Sequence, residues 1–341
     1  MKIPAQLSEI TKEWLSKALS VPVKSVSIEP VPAHNSIIGR LTVAYAGESE
    51  IPEKLIVKLK TVAEGLNECC IYDTSPVFDF MIPHYYWDYD DDQSGDSILI
   101  LKDISGTHAP LLTINDMKIG WGVPQEKHLN MIVDALADWH SHWWRNSNSI
   151  DSPYFFQGET EYKQRVQKYH DDWAQFDKTQ IPDEWVVIYK NALKFVKSLW
   201  DNHIVRRYAE DHNLTVIHGD CYLNQFFVND ESAYIADFDS IAMSIPADDL
   251  VFLMATFWTR EQRTIHEEKV LRHYHTRLNK ENYSWGDLLH DYRMMLLFRV
   301  FHPVWDANNG SSEAYWKTKM QCLIHAYQDW GVEATFCTEA G

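Results

Sequence analysis

Residues 216–228 read Val-Ile-His-Gly-Asp-Cys-Tyr-Leu-Asn-Gln-Phe-Phe-Val, and residues 233–239 read Ala-Tyr-Ile-Ala-Asp-Phe-Asp. Each stretch opens with a short apolar run typical of a β-strand and soon reaches an acidic residue, Asp220 in the first and Asp237 in the second. In-line phosphoryl transfer needs such a pair: one carboxylate orients or deprotonates an acceptor hydroxyl, and the other helps to hold Mg²⁺ on the nucleotide phosphates. An acidic residue after a strand is also a common turn former, so the rest of the chain decides between the two interpretations.

Size and charge limit the classes to which the chain can belong. Its 341 residues are enough for one large domain or two lobes, and 45% of them are hydrophobic, which is ample for a packed core. The formal net charge of −18 argues against a general binder of nucleic acids or anionic membranes, because those partners require clustered Lys and Arg. The same charge weakly favours a cationic or neutral small molecule over an anionic one, and any ATP site must be locally positive.

Cysteine usage indicates a reducing compartment, and the apolar runs indicate neither secretion nor a membrane span. The five cysteines include no Cys-x-x-Cys pair, so neither a disulfide framework nor a zinc site is indicated. The first residues lack the apolar core of a signal peptide, and the longest apolar run, near residues 250–258, is too short to span a bilayer. We therefore expect a cytoplasmic protein with no membrane partner, while the sequence gives no indication of its oligomeric state.

The first hundred residues have the pattern of a helix followed by strands. Apolar residues recur at helical spacing over residues 8–19, with Ser8 as the predicted N-cap. Residues 40–46 and 54–60 are predicted strands, and the turn-rich loop before them contains Asn35 and Ser36. This layout is typical of a hairpin that covers a nucleotide, although an ordinary hairpin turn has the same pattern.

Lys58 lies within the second of these strands. Such a lysine is most often solvated or at a strand edge, but in a kinase-like lobe it contacts the α- and β-phosphates and pairs with a glutamate of the next helix. That helix is predicted over residues 63–73, where Glu64 and Glu68 are the candidate partners. Glu68 is preferred because Tyr72, one turn further on, would face the same core.

The remaining two thirds of the chain are predicted to be mainly helical. Residues 97–101 form one more apolar strand, and the segment at its end, near Leu101, is typical of a hinge whose backbone binds an adenine edge. Over residues 125–145 apolar residues recur every three or four positions, and other helical segments precede and follow the quoted strands. His140 lies on an apolar face, so we predict a buried, hydrogen-bonded side chain rather than a metal ligand.

Together these motifs resemble the aminoglycoside phosphotransferase/choline kinase group of small-molecule kinases, and most closely the ecdysteroid-kinase-like phosphotransferases of bacteria. The resemblance covers nearly the whole chain. The motifs that carry it are Ile56-Val57-Lys58, Glu68-x-x-x-Tyr72, Leu136-Ala137-Asp138-Trp139-His140, His218-Gly219-Asp220 and Ile235-Ala236-Asp237-Phe238.

The resemblance implies an α+β, protein-kinase-like fold with ATP and Mg²⁺ as cofactors. Residues 1–104 would form a nucleotide-binding lobe with a small antiparallel sheet and a helix, and residues 105–341 a larger, mainly helical lobe. The implied roles are these: Asp220 as catalytic base, Asp237 as the main Mg²⁺ ligand, Lys58 and Glu68 as the phosphate-positioning ion pair, Asn35 and Ser36 in the phosphate-covering loop, Leu101 at the hinge, and Asp249 as a brace for the catalytic loop.

One departure from the family pattern leaves the metal site open. The family usually has Asn five residues after the catalytic Asp, where this chain has Gln225, with Asn224 one residue earlier. Either carboxamide oxygen is a suitable metal ligand. The alternatives are therefore an active kinase for a hydroxyl of a small molecule, a nucleotide-binding pseudokinase, and, less favoured, a protein kinase, since Asp239 replaces the glycine that protein kinases have after Asp-Phe.

The acceptor is expected to bind between the catalytic loop and the C-terminal helices. Any one of the candidate residues there is more typical of packing or of a surface role than of a pocket. The candidates are Tyr222, Asp239, Trp285, Asp291, His302, Trp305 and Asp306.

Overall fold

The computed structural model describes residues 1–33, 36–61, 65–74, 78–90, 95–113, 115–116, 122–145, 155, 159–199 and 203–337. The chain forms two compact units. The first consists of Met1–Ala109, Asn148–Phe155 and Phe227–Ile241, and the second of Pro110–Ser147, Phe156–Phe226 and Ala242–Gly341. Neither unit is one continuous segment, and the lobe boundary at residue 104 stays a prediction.

The first unit contains a five-stranded antiparallel sheet with the order β1-β2-β3-β5-β4. Its strands are β1 (Val23–Val31), β2 (Ile37–Tyr45), β3 (Lys54–Lys60), β4 (His84–Tyr89) and β5 (Ser97–Lys102). Strand β3 is central, so Lys58 has a backbone neighbour on each side: Ile38 in β2 and Leu99 in β5. The predicted strand 54–60 therefore has the predicted bounds, and its lysine is not at a sheet edge.

Helix α1 (Lys12–Ala18) packs on this sheet, and its start differs from the prediction. Residues 7–9 form a separate 3₁₀ turn, and the side chain of Thr11 accepts a hydrogen bond from the backbone N–H of Trp14. Ser8 is therefore not the N-cap. Both residues carry a hydroxyl at a plausible cap position, and the first helical turn satisfies its free N–H groups with the nearer one.

Helix α2 (Gly65–Thr74) packs against β4 and β5. It is buried over residues 65–72, which explains why its sequence shows no clear polar face. A Cβ atom at residue 65 would overlap the hydroxyl of Ser97, so the glycine allows the helix to begin close to the sheet. The predicted helix 63–73 is thus present over the part that the structure describes.

The strands that flank the quoted stretches are short. They are β6 (Ala109–Pro110), β7 (Thr215–Ile217), β8 (Phe226–Val228), β9 (Ala233–Ile235) and β10 (Ala242–Ser244). Strands β8 and β9 are neighbours in one small sheet, and β7 pairs antiparallel with β10 in another. Each acidic residue of the two stretches follows the end of such a strand, as the sequence predicts.

The second unit is mainly helical. Its helices are α3 (Glu126–His142), α4 (Glu159–Gln175), α5 (Asp183–Leu199), α6 (Val205–Ala209), α7 (Ala247–Ala255), α8 (Arg260–Leu278), α9 (Trp285–Arg299), α10 (His302–Asn308), α11 (Glu313–Asp329) and α12 (Val332–Cys337). All nine residues of α7 are buried, and α9 packs against it, while α3 packs against α8 and α10 against α11. Helices α8 and α9 both begin with a capping box, at Thr259 and Ser284.

These elements confirm the α+β prediction, with a small antiparallel-sheet unit and a larger helical one. The four cysteines whose side chains the structure describes, Cys69, Cys70, Cys221 and Cys322, are buried. Among the helices within the described ranges, none is both long and apolar enough to cross a membrane.

Candidate active site

Two lysines and three carboxylates meet in the first unit, and we call this group the Lys58 cluster: Lys58, Lys60, Glu68, Asp237 and Asp239. The Nζ atom of Lys58 lies 2.6 Å from Glu68 Oε2, 2.5 Å from Asp237 Oδ1 and 3.3 Å from Asp239 Oδ2. The ammonium group of Lys60 pairs with Asp239. The predicted pairing of Lys58 with Glu68 is therefore present in the structure, whereas Glu64 lies outside the described residues.

Local structure explains how these side chains converge. Residues two apart on a strand point to the same face, so β3 directs Lys58 and Lys60 together toward helix α2, which supplies Glu68. After β9 the backbone of Asp237 is left-handed, with φ 69° and ψ 58°. Such a conformation is costly for a residue with a Cβ atom, and it is common at functional turns.

The members of the Lys58 cluster differ in exposure, and Asp237 is the most accessible of them. Its side chain is 36% exposed, compared with 11% for Lys58 and 4% for Glu68. Burial lowers the pKa of Lys58, but the carboxylates of Glu68 and Asp237 outweigh it and raise that pKa above its ordinary value. Lys58 is therefore a fixed positive charge at any physiological pH.

The carboxylates of the cluster also suit a hard metal ion. One oxygen each from Glu68, Asp237 and Asp239 lie within 4.8 Å of one another. Mg²⁺ binds through oxygen ligands, commonly one or two carboxylates together with phosphate oxygens. The exposed Asp237 is the member best placed to be such a ligand, because Glu68 and Asp239 are buried against the two lysines.

In the second unit, strand β7 leads into the loop that carries Asp220, and Asp249 holds this loop. Gly219 is left-handed at φ 81°, a conformation that glycine adopts without strain. The Asp249 carboxylate accepts hydrogen bonds from the backbone N–H of His218 at 2.6 Å and of Gly219 at 2.9 Å. Two backbone groups next to Asp220 are thereby fixed.

Asp249 is itself held from behind by His140. The Nε2 atom of His140 lies 3.1 Å from the Asp249 carboxylate, and its Nδ1 atom lies 2.7 Å from the hydroxyl of Tyr274. Burial raises the pKa of Asp249, but the His140 ring and the His218 N–H have the larger combined effect and lower it below its usual value. His140 is thus buried and hydrogen-bonded, as its place on an apolar helix face predicts.

Arg299 at the end of α9 completes the support of this loop. Its Nη2 atom donates to the carbonyl oxygen of Gly219 at 3.2 Å, and its Nε atom donates to Asp248. The guanidinium lies 3.8 Å from the ring centroid of Phe252. The left-handed glycine before Asp220 is therefore held at its N–H by Asp249 and at its carbonyl by Arg299.

The two carboxamides after Asp220 are placed differently. Residues 223–225 form a 3₁₀ turn, and Gln225 Nε2 lies 3.4 Å from the Asp220 carboxylate. The amide oxygen of Asn224 is buried and has no hydrogen-bond partner among the described residues. A buried acceptor without a donor is costly unless a ligand occupies it, so Asn224 suits a metal ligand better than Gln225 does.

Three of the predicted acceptor residues lie together in the second unit. The hydroxyl of Tyr222 is 3.4 Å from His302 Nδ1, and the rings of His302 and Trp305 are 5.7 Å apart. Asp306 is near them but is buried in an ion pair with Lys319 at 2.7 Å.

The other predicted site residues have different surroundings. Asp291 is fully buried and accepts hydrogen bonds from Arg207 and from the hydroxyl of Tyr283. Trp285 carries the guanidinium of Arg272 at 4.5 Å. Asp239 belongs to the Lys58 cluster.

The predicted nucleotide-loop and hinge residues have few distinctive contacts. Ser36 directly precedes β2, Leu101 is buried in β5, and Asn35 lies outside the described residues.

The structure adds residues that the sequence argument did not single out. Lys60 is predictable from the sequence, because it lies two positions from Lys58 on a predicted strand and its side chain therefore points to the same face. Asn67, whose Nδ2 atom donates to the carbonyl oxygen of Asp239 at 3.1 Å, and Arg299 carry no local signal, since their partners are 172 and 80 residues away.

A sequence model of the ecdysteroid kinase-like family matches residues 71–284, well over half of the chain. A comparison with curated proteins finds no match.

Several solved structures resemble the whole chain. One is a Ralstonia eutropha protein assigned as an aminoglycoside phosphotransferase, with a TM-score of 0.61 and 11% identity, covering 95% of this chain and 97% of the other. Another is an aminoglycoside 2'-phosphotransferase in complex with GDP, with a TM-score of 0.56 and 14% identity over 93% and 99% of the two chains. A third is a choline kinase from Streptococcus pneumoniae, with a TM-score of 0.52 and 15% identity over 93% and 97%. At these identities the likeness shows the fold alone.

Proposed function

The chain belongs to the ecdysteroid kinase-like family, and we propose that it is an ATP- and Mg²⁺-dependent kinase that transfers the γ-phosphate to a hydroxyl group of a small molecule. The observation that carries this proposal is the Lys58 cluster, in which a buried lysine is held by a helix glutamate next to a partly exposed aspartate. The proposal includes a cytoplasmic location and no nucleic-acid or membrane partner.

Lys58 is assigned to the phosphates of ATP. Its charge is fixed, and its position on the central strand is set by two neighbouring strands. Phosphoryl transfer depends mainly on positioning and on neutralising charge, so a rigid cation is the group that the reaction needs. The chain as a whole carries a charge of −18, and Lys58 with Lys60 supplies the local positive charge that an anionic nucleotide requires.

Asp220 is assigned to the acceptor hydroxyl. The bond between the β,γ-bridging oxygen and the γ-phosphorus breaks, and its electron pair leaves with ADP. A new bond joins the hydroxyl oxygen to the same phosphorus, and Asp220 accepts the hydroxyl proton. Asp249 and Arg299 keep Asp220 in place because they fix the peptide groups directly before it.

In the first unit, Asp237 is the residue that would bind Mg²⁺. In the second unit, Asn224 is the candidate metal ligand, with Gln225 as its alternative. When bound, the ion neutralises charge on the β- and γ-phosphates. Support comes from the partly exposed carboxylate of Asp237 and from the amide oxygen of Asn224, which is buried without a hydrogen-bond partner among the described residues.

Removal of the carboxylate at Asp220 tests the proposal. Wild-type protein with MgATP and a pool of small metabolites should yield a phosphorylated product detectable by mass spectrometry. Asp220→Asn should lower the rate by about a thousandfold, because a positioned general base contributes that much. Asp230→Asn, an exposed aspartate near the same sequence region, is the control and should retain activity. Transfer that persists in Asp220→Asn at the wild-type rate contradicts the assignment.

A nucleotide-binding pseudokinase is the second candidate, and the contact between Gln225 and Asp220 favours it. A hydrogen bond from that amide would occupy the carboxylate needed for the hydroxyl proton. The two candidates differ in their response to Mg²⁺: metal-dependent stabilisation by ATP together with turnover supports the kinase, and stabilisation without turnover supports the pseudokinase.

A further inference from the structure

Four aromatic rings close to Asp220 in sequence or packing each carry a cation that belongs to the protein itself. Tyr222 lies two residues after Asp220, and the other rings come from helices α7 (Phe252), α10 (Trp305) and α11 (Tyr315). The ring–cation pairs are Tyr222 with Lys319 at 4.9 Å, Tyr315 with Lys319 at 5.2 Å, Phe252 with Arg299 at 3.8 Å and Trp305 with Lys168 at 5.4 Å.

Lys319 cannot easily leave this position. Its side chain is 0% exposed, and its ammonium group pairs with Asp306 at 2.7 Å. Asp220 also acts on Lys319 electrostatically, so the two groups are near each other. An internal ammonium over the faces of Tyr222 and Tyr315 occupies the negative ring faces that would otherwise attract a cationic ligand.

His302 lies among these cations and responds to them. Burial and the positive charges of Lys319, Arg299, Lys168 and Arg165 all lower the pKa of His302 well below its ordinary value. The imidazole is therefore neutral near pH 7, and the surface formed by Tyr222, His302 and Trp305 offers no negative side chain of its own.

The carboxylates near these aromatic rings mostly form ion pairs with cations of the protein itself. Asp306 is paired with Lys319, and Asp248 is paired with Arg299 and lies 3.9 Å from Arg165. Asp172 lies one turn from Lys168 on α4. Burial raises the pKa of that carboxyl and the charge of Lys168 lowers it, so these two groups interact without an ion pair within 4 Å. Lys168 is exposed and has no carboxylate within 4 Å among the described residues, so it is available to an anion from solution.

We propose that the acceptor is a hydroxylated compound with a ring and an acidic group, that its ring packs on Tyr222, His302 and Trp305 beside Lys168, and that Lys319 excludes cationic acceptors. This inference rests on the proposed function for the identity of the hydroxyl acceptor. It replaces the weak expectation of a cationic or neutral acceptor that the net charge suggests, because local charges act at closer range than the charge of the whole surface.

The test compares four probes that share a ring with a hydroxymethyl group and differ in the para substituent, which is anionic, neutral or cationic. They are para-(hydroxymethyl)benzoate, para-(hydroxymethyl)phenyl phosphate, para-(hydroxymethyl)benzamide and para-(aminomethyl)benzyl alcohol. Binding is measured by calorimetry or ligand-detected NMR on wild-type protein without nucleotide. The carboxylate should bind about tenfold more tightly than the amine, with the neutral amide between them. The phosphate probe shows which acidic group fits.

Two variants locate the effect. Lys168→Met should weaken binding of the carboxylate by about fivefold and leave the amide unchanged, and exposed Lys163→Met on the same helix is its control. The double variant Lys319→Met with Asp306→Leu removes the internal cation together with its partner, so no buried charge is left unpaired. It should raise binding of the amine to the level of the amide.

The matched control for the double variant is Lys317→Met with Glu313→Gln. It removes an exposed ion pair of 2.5 Å on the same helix and should leave the order of the probes unchanged. The proposal is overturned if the amine binds as tightly as the carboxylate, if no acidic probe binds, or if the double variant keeps the wild-type order.

These measurements separate the inference from the proposed function. Binding needs no turnover, so the charge preference is decided even if the protein phosphorylates none of the probes. A wild-type protein that prefers the acidic probe but transfers no phosphate to any metabolite would contradict the kinase and leave the binding preference standing.

Discussion

At the scale of the residue, Lys58 is the group on which the proposed nucleotide site depends. Its replacement in Lys58→Met leaves the carboxylates of Glu68 and Asp237 close together without their shared cation. Breaking a buried ion pair on one side typically costs about 3 kcal/mol in the free energy of unfolding. We expect that loss in chemical denaturation, together with loss of stabilisation by ATP.

Lys54→Met is the matched control, because it lies at the exposed start of the same strand. It should change the free energy of unfolding by less than about 0.5 kcal/mol and retain the response to ATP. If Lys58→Met keeps the full ATP response, the lysine does not contact the phosphates.

His302 gives a prediction about pH. Its pKa in the folded protein lies well below the ordinary value of 6.5, because it is buried among cations. Below that value the unfolded chain binds a proton that the folded protein does not, so stability falls as the pH falls. Between about pH 7.5 and about pH 5.5 the wild type should lose more stability than His302→Gln, by at most about 1.4 kcal/mol per pH unit.

The measurement is urea denaturation at several pH values. His273→Gln serves as control for replacing a histidine on the surface, since that side chain is 38% exposed. Equal pH dependence in His302→Gln and wild type would show that His302 does not titrate differently on folding.

At the scale of the element, helices α7 and α9 hold the loop after β7. Substituting two buried aspartates, one that bonds to this loop and one that does not, distinguishes an effect on the loop from an effect on overall stability. Asp249→Asn weakens the bonds to the His218 and Gly219 N–H groups, whereas Asp291→Asn weakens the pair with Arg207. Both should destabilise by about 2–4 kcal/mol. Only Asp249→Asn should also lower kcat with little change in KM, because only that loop carries Asp220.

The kinetic comparison is made at a temperature where both variants are fully folded by circular dichroism. A loss of kcat in Asp291→Asn equal to that in Asp249→Asn would show that stability alone explains the effect. A raised KM for the acceptor in Asp291→Asn would instead return Asp291 to the acceptor site.

Local patterns predict the elements better than they predict the contacts between them. The predicted strand 54–60 has the bounds of β3, and the apolar spacing over residues 125–145 corresponds to α3 (Glu126–His142). The bonds from His140 to Asp249 and from Lys319 to Asp306 are invisible to a periodic pattern: the first joins residues 109 positions apart, and the second buries a lysine that sequence alone suggests is solvated. Ser8 and Thr11 show the same limit at short range, since two hydroxyls compete for one cap.

At the scale of the whole molecule, a charge of −18 coexists with cationic positions in each unit. Lys58 and Lys60 form one in the first unit, and Lys319 and Lys168 belong to another in the second. The proposed nucleotide and the proposed acidic acceptor are both anions, so the proposed function requires local positive charge that the overall composition conceals. The net charge therefore bears on solubility and on excluded partners but not on the ligand of either unit.

Ligand linkage on the whole protein tests how Mg²⁺ is held. MgATP at a hundred times its Kd should add about 2.7 kcal/mol to the free energy of unfolding, and ATP with a chelator should add much less. Within the part of the chain that the structure describes, the buried amide oxygen of Asn224 has no hydrogen-bond partner, while Gln225 contacts Asp220. Asn224→Ala should therefore remove most of the Mg²⁺-dependent part. Gln225→Ala is the matched control, because it deletes a carboxamide of similar size one residue away, and it should retain the Mg²⁺-dependent part. The reverse result, with the Mg²⁺ response lost only in Gln225→Ala, would assign the metal to the glutamine and leave the buried oxygen of Asn224 without a ligand.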